Sequence, residues 1–154
     1  MAQREDLFSD RISEATDESL LHGSCVSDNG HAVLIVGASG RGKSSLALQL
    51  MAYGAKLVSD DQTLLRRKGE HVMVSAPDTT GGLIEARAIG ILRADPVQDI
   101  PLHLVVDLDQ TEHQRLPHPR QVQVLGKTLP LFLGVDAPHF AAAILQFLRH
   151  GRHA

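Results

Sequence analysis

Residues 37–45 read GASGRGKSS, between the apolar run HAVLIV (31–36) and the helix-like run LALQLMAYG (46–54). The order Gly37-x-x-x-x-Gly42-Lys43-Ser44 is the Walker A pattern, set as that pattern requires between an apolar strand and an amphipathic helix. Glycines accept positive φ and carry no Cβ to block an approaching anion. Successive N–H groups then point inward, and the helix that follows adds the positive end of its dipole. Gly37, Ala38, Ser39, Gly40, Arg41, Gly42, Lys43 and Ser44 are therefore expected to cradle a nucleoside triphosphate or another polyphosphate. Lys43 would reach the outer phosphates and the Ser44 hydroxyl would bind Mg²⁺. The bland alternative is a glycine-rich turn that binds nothing.

Working outward, LLHGSCVS (20–27) reads as a strand, SDNG (27–30) as a turn and HAVLIV as the returning strand, so the strand entering the loop pairs with its predecessor as a hairpin. Past the loop, Leu46, Ala47, Leu50 and Met51 recur at helical spacing and Gly54 supplies a stop. AKLVS (55–59) is a short strand ending at Asp60-Asp61, and QTLLRR, KGE and HVMVSA make a strand, a turn and a strand. LIEARAIGILRA (83–94) is ambiguous, with Gly90 favouring a bent strand. IPLHLVVDL (100–108) is a strand, residues 109–121 a polar loop, and VQVLGKTLPLFLG (122–134) a second hairpin. DAPHFAAAILQFLRHG (136–151) is a closing helix, with Asp136 as N-cap, Pro138 in the first turn and Gly151 as its end. The fold class is α/β, with helices covering a mixed, partly antiparallel sheet. Residues 1–18 read as a flexible tail or a short helix around Leu7–Ile12, and 19–154 as one domain.

Composition narrows the function. The chain has 154 residues, 43% hydrophobic but only 3% aromatic, so its core is aliphatic. A formal charge of −3 without a Lys/Arg block does not indicate a nucleic-acid surface. The single cysteine, Cys25, lies in an apolar stretch, fits a reducing compartment and reads as a packing residue. No apolar run approaches the roughly 20 residues that span a bilayer, and the charged start lacks a signal-peptide core, so the expectation is a cytoplasmic protein without membrane contact.

Phosphate chemistry needs a second acid, for the cation or for the attacking hydroxyl. Asp60 and Asp61 end the strand that follows the loop helix, and that strand often lies beside the loop strand. Asp107 ends LHLVV in Walker B style, but reads slightly better as a strand-end acid opening a loop. Neighbouring carboxylates on a strand point to opposite sides, so only one of the Asp60–Asp61 pair need face the phosphate.

The stretch HGSCVSDNGHAVLIVGASGRGKSSLALQLMAYGAKLVSDD (22–61) resembles the core of bacterial HPr kinase/phosphorylase, and GLIEARAIGIL (82–92) resembles that family's Ile-Glu-x-Arg-Gly-x-Gly-Ile signature. The resemblance covers roughly Leu20 to Leu148. It implies a phosphate-loop domain related to the phosphoenolpyruvate carboxykinase core, in the truncated form of some α-proteobacteria. It implies an ATP-dependent, Mg²⁺-requiring serine kinase of HPr, the phosphocarrier of the sugar phosphotransferase system, with reverse phosphorolysis in many members and a hexameric assembly. Carried onto this chain, Lys43 and the loop amides hold phosphates, and Ser44 and Glu85 hold Mg²⁺. Asp60 or Asp61 is the base, with the preference for Asp61. His22 lies near the transferred phosphate, and Arg115 of a mobile loop offsets developing charge.

Each residue has a plainer reading: His22 as an edge histidine, Glu85 and Arg87 as an ion pair, Arg115 as a solvated cation. The remaining histidines are too irregular for a zinc pattern. Two departures matter. Ala88 stands where the signature has glycine, and LGVDAPHF (133–140) lacks the arginines of the segment tied to phosphorolysis, which points to the kinase direction. A small-molecule kinase and a non-catalytic nucleotide-binding regulator are the competing functions.

Overall fold

The computed structural model describes residues 17–154, so the helix expected around Leu7–Ile12 lies outside the described residues. Eleven strands and two helices follow in chain order: β1 (Glu18–His22), β2 (Ser24–Asp28), β3 (His31–Val36), α1 (Lys43–Ala52), β4 (Lys56–Ser59), β5 (Gln62–Lys68), β6 (His71–Ser75), β7 (Leu83–Ala86), β8 (Gly90–Arg93), β9 (Ile100–Thr111), β10 (Arg120–Val124), β11 (Lys127–Gly134) and α2 (Phe140–His150). Glu18, expected in the tail, is the first residue of β1 and pairs with Arg66.

The expected hairpin before the loop is present. β2 and β3 pair antiparallel, and Asn29 and Gly30, at φ 52° and 79°, make the tight turn whose twist suits a two-residue hairpin. β2 is buried throughout and β3 almost so, as strands covered on both faces must be. β3 alternates: Ala32, Leu34 and Val36 join one apolar core, while Val33 and Ile35 join the other. The second core takes the inward faces of both helices, including Leu46, Ala47 and Leu50 of α1 and Ile144, Leu145 and Leu148 of α2. The first is made of strand residues from both flanks of the sheet, such as Leu65, Val74, Val122 and Leu131. The main sheet has nine strands in the order β1-β5-β6-β9-β3-β2-β4, with β11 on β9 and β10 on β11. β9 is parallel to β3 and β11, and the other pairs are antiparallel.

Several expectations change. The strand read over 20–27 is two strands: β1 pairs with β5, and β2 with β3 and β4. The break is Gly23. A Cβ there would lie 2.9 Å from the Ile35 carbonyl oxygen, and its N–H bonds the Asp61 carbonyl at 2.9 Å. β4 does not lie beside the loop strand, because β2 intervenes and the neighbours of β3 are β2 and β9. Residues 83–94 form a hairpin, β7–β8, as a separate two-stranded sheet. β9 runs on to Thr111 and β10 starts at Arg120, which shortens the expected loop to 112–119. α2 starts at Phe140, with His139 as N-cap and no side-chain cap, so Asp136 is not the N-cap and Pro138 precedes the helix. The Phe140 N–H instead bonds the Ala137 carbonyl in a turn. Gly151 closes α2 as expected, at φ 75°.

Candidate active site

The glycine loop joins the C-terminal end of β3 to the first turn of α1. Gly40 and Gly42 have φ of 84° and 94°, a left-handed conformation that side-chain-bearing residues adopt only at a cost. Lys43 folds back over the loop, its Nζ donating to the carbonyls of Gly37 at 2.8 Å and Ala38 at 3.2 Å. Asp109, from β9, anchors the start of the loop by accepting the Ala38 N–H at 2.9 Å, with the Arg41 guanidinium 3.6 Å away.

Beside the loop is a cleft of about 190 Å³ lined by Ser39, Gly40, Gly42, Lys43, Ser44, Ser45, Asp61, Glu85 and Arg87. Most of the loop thus meets Asp61 and Glu85 in one place, although β4 and β7 belong to different sheets.

Asp60 lies behind this cleft, buried. Its Oδ1 accepts the hydroxyls of Ser44 and Ser24, each at 2.7 Å, and its Oδ2 accepts the Glu85 N–H at 2.9 Å. One carboxylate thus ties the first turn of α1, the start of β2 and the middle of β7. Because Ser44 Oγ spends its proton on Asp60, its lone pairs remain available to a cation. The oxygens of Ser44, Asp60 and Glu85 are all hard donors of the kind that suit a divalent cation sharing phosphate ligands. Among the described residues no group of three or more His, Cys, Asp or Glu side chains is arranged to hold a metal by itself.

Asp61 has the opposite environment. At φ 66° the backbone turns out of β4, and the Asp61 side chain is 74% exposed, with His22 Nδ1 3.7 Å from its Oδ1. The pair of acids thus divides into a buried, triply bonded Asp60 and an open Asp61 on the cleft.

Asp107 is wholly buried, and its carboxylate accepts the Asp109 N–H at 2.9 Å and the Gln110 amide at 3.0 Å, closing the strand end. Arg115 is exposed and is not among the residues lining the cleft. It lines a separate groove with Gln114, Leu116, Val135 and His139, between the 112–119 segment and α2. Glu85 and Arg87 make no ion pair with one another. Both line the cleft, which makes Arg87 a site residue that the ion-pair reading concealed. Ser24 was likewise missed, since nothing local to the 22–28 run shows that its hydroxyl meets an acid 36 positions on. Cys25 is fully buried in the first core, and burial pushes its thiol far up, in keeping with a packing role.

Ala88 departs from the resembled signature but keeps the conformation that glycine would supply. It sits at φ 65° in the turn Ala86–Ile89, which is closed by the Ile89 N–H on the Ala86 carbonyl at 2.9 Å. Its methyl group therefore strains the turn without preventing it.

The family described as HPr Serine kinase C-terminal domain matches residues 13–124. An HPr kinase/phosphorylase of Prosthecochloris aestuarii is 30% identical over 139 residues, 82% of this chain and 40% of the relative. One of Chlorobium limicola is 35% identical over 124 residues, 71% of this chain and 38% of the relative. The chain therefore spans about two fifths of the length of these curated relatives. The solved structure of the Hpr(Ser) kinase/phosphatase from Coxiella burnetii superposes with a TM-score of 0.71 at 25% identity, covering 85% of this chain and 94% of that one. Matched over most of its length, with its α/β fold and mixed sheet shared by a solved relative, this chain belongs to the HPr serine kinase C-terminal domain family.

Proposed function

We propose that the protein is an ATP-dependent serine kinase of the phosphocarrier HPr, built on a phosphate-loop domain of the phosphoenolpyruvate carboxykinase type. The observation that carries the reading is the division of labour between Asp60 and Asp61, one bonded to Ser44 and the other open on the cleft. Phosphoryl transfer requires both a cation-supporting acid and an acceptor-activating acid, and two carboxylates in unlike environments can supply them.

In this mechanism the loop N–H groups and Lys43 hold the β- and γ-phosphates. Ser44 and Glu85 would hold Mg²⁺, with Asp60 orienting Ser44 through its hydroxyl, and the cation would supply neutralisation of phosphate charge. The acceptor serine enters beside Asp61. As its oxygen bonds the γ-phosphorus, the bond to the bridging oxygen of ADP breaks and the serine proton passes to the Asp61 carboxylate. His22, whose Nδ1 is 3.7 Å from the Asp61 carboxylate, would lie near the transferred phosphate. Arg115 is assigned to the charge that develops on transfer; its segment leaves the C-terminal end of β9, the end of the sheet at which the loop lies. In reverse, inorganic phosphate would attack the phosphoserine phosphorus, the bond to the serine oxygen would break as Asp61 returned the proton to that oxygen, and pyrophosphate would be formed.

The test is transfer of label from γ-labelled ATP with Mg²⁺ to purified HPr, with an HPr variant lacking the acceptor serine as control. Lys43→Ala and Asp61→Asn run alongside. Label on wild-type HPr alone, lost in both enzyme variants, is expected. ATP binding that depends on Lys43 without any label on HPr would overturn the kinase reading in favour of a nucleotide-binding regulator.

A further inference from the structure

Two consecutive residues at the break between β1 and β2 hold the two acids. The Gly23 N–H donates to the Asp61 carbonyl at 2.9 Å, and the Ser24 hydroxyl donates to the Asp60 carboxylate at 2.7 Å. Ser24 is wholly buried and opens a strand that is buried throughout. It stands opposite Ile35, just before the glycine loop begins. The sheet, not the loop, therefore fixes where this hydroxyl lies. The oxygen it meets, Asp60 Oδ1, is the same one that takes the Ser44 hydroxyl at 2.7 Å. A carboxylate oxygen offers two lone-pair directions, and a hydroxyl has one proton to give. Ser24 and Ser44 thus fill Oδ1 between them, while the Glu85 N–H holds Oδ2 at 2.9 Å. Donors from β2, α1 and β7 together pin the plane of the carboxylate.

We propose that Ser24 is a positioning residue for the divalent cation: it locks Asp60 so that Ser44 keeps its proton on Asp60 and its lone pairs towards the cleft. The inference rests on the cation role given to Ser44 and Glu85 above, and adds the buried residue that sets it. Ser24 is not among the residues lining the cleft, so it acts through Asp60. Without its hydroxyl, Oδ1 regains a free lone pair and is held by Ser44 alone. The carboxylate can then swing, and the Ser44 hydroxyl turns with it. Removing an outer hydrogen-bond partner of this kind typically weakens metal binding by about 10–100-fold.

The experiment measures the Kd of ATP by calorimetry, once with Mn²⁺ as the cation and once in EDTA, together with melting temperature. The proteins are the parent, Ser24→Ala, Ser24→Cys and Thr63→Val. Ser24→Cys leaves a weak donor of nearly the same shape, and carries the comparison if Ser24→Ala does not fold. Thr63→Val removes another wholly buried hydroxyl at the same break, one bonded to the Gly23 carbonyl instead of Asp60. In the parent, Mn²⁺ is expected to tighten ATP binding. Ser24→Ala is expected to bind ATP with Mn²⁺ about tenfold more weakly, with metal-free binding unchanged, and Ser24→Cys to fall between the two. Thr63→Val should melt below the parent yet bind ATP as the parent does in both conditions. The proposal is overturned by Mn²⁺-dependent binding that is unchanged or tighter in the Ser24 variants, by an equal loss with and without metal, or by the same loss in Thr63→Val. A parent whose ATP affinity ignores Mn²⁺ overturns it as well. Because the readout is binding, absent label on HPr would count against the kinase reading alone.

Discussion

Replacing Gly23 with alanine tests how the loop strand and the acids are held together. The new Cβ would sit 2.9 Å from the Ile35 carbonyl oxygen and 3.1 Å from Leu34 Cδ1. Leu34 can adjust, but Ile35 is in the middle of β3, paired with β2 on one side and β9 on the other, so backbone must move. Overpacking of this kind costs about 1–3 kcal/mol. At about 2 kcal/mol, and with about 2–4 °C per kcal/mol for a domain of this size, Tm should fall by about 4–8 °C. The displacement should also reach the site. The Gly23 N–H bonds the Asp61 carbonyl and its own carbonyl accepts the Thr63 hydroxyl at 3.0 Å, so moving Gly23 moves the turn that aims Asp61. The assay pairs thermal melts with phosphotransfer kinetics. Gly81→Ala is the control, since a Cβ there meets nothing within 4 Å and Gly81 lacks a positive φ. The expected result is a lower Tm and lower kcat in Gly23→Ala, with neither changed in Gly81→Ala. A Gly23→Ala protein melting within about 1 °C of the parent would refute the argument that this contact forces the β1–β2 break.

Three further outcomes follow from the same geometry. Asp60→Ala should lose about 2–4 kcal/mol in urea unfolding, because three donors lose their acceptor, whereas Asp61→Asn should melt like the parent while its kcat drops about a hundredfold or more. Ala88→Gly should raise stability by about 0.5–1 kcal/mol, the left-handed strain relieved less the entropy that glycine adds to the unfolded chain. His103 lies against His31, ring centroids 4.1 Å apart and planes tilted by 42°, and its pKa is lowered by burial first and then by the nearby charges of His31, His71 and Lys127, against a hydrogen bond to the Pro101 carbonyl that raises it. The folded state therefore holds fewer protons on this ring than the unfolded state, so its contribution is complete above about pH 6.5 and is lost as pH falls towards the lowered folded value. Urea midpoints from about pH 7 to about pH 5 should decline in the parent and decline less in His103→Gln. Asp28 and Glu112, whose carboxyls are held down chiefly by Arg149 and Arg120, add their own losses only at more acid pH.

Elements whose causes lie within a few residues were legible in the sequence. The glycine loop, the Asn29-Gly30 turn, the core face of α1 and the Gly151 stop need only local φ preferences and the helical period, and all are found as expected. Legibility fails where a distant partner decides. Within LLHGSCVS only Gly23 hints at a bend, and what makes it a break is the Ile35 carbonyl across the sheet, which the local run does not show. The N-terminus of α2 escaped the Asp136-Pro138 signal because the chain first makes a turn at Ala137–Phe140.

The site divides in the same way. The sequence by itself determined the glycine loop and pointed to the family, since spacing along the chain is enough to specify a loop between strand and helix. It offered a preference for Asp61 over Asp60 without a physical ground for it, and left Arg87 as an ion-pair partner of Glu85. Only the tertiary structure separated the acids, burying Asp60 among the Ser24 hydroxyl, the Ser44 hydroxyl and the Glu85 amide, and turning Asp61 outward to His22. The physical reason is that a carboxylate's role follows from which donors and how much water surround it. Those surroundings come from β2, α1 and β7, which are brought to the end of β4 only when the sheet and the hairpin are packed.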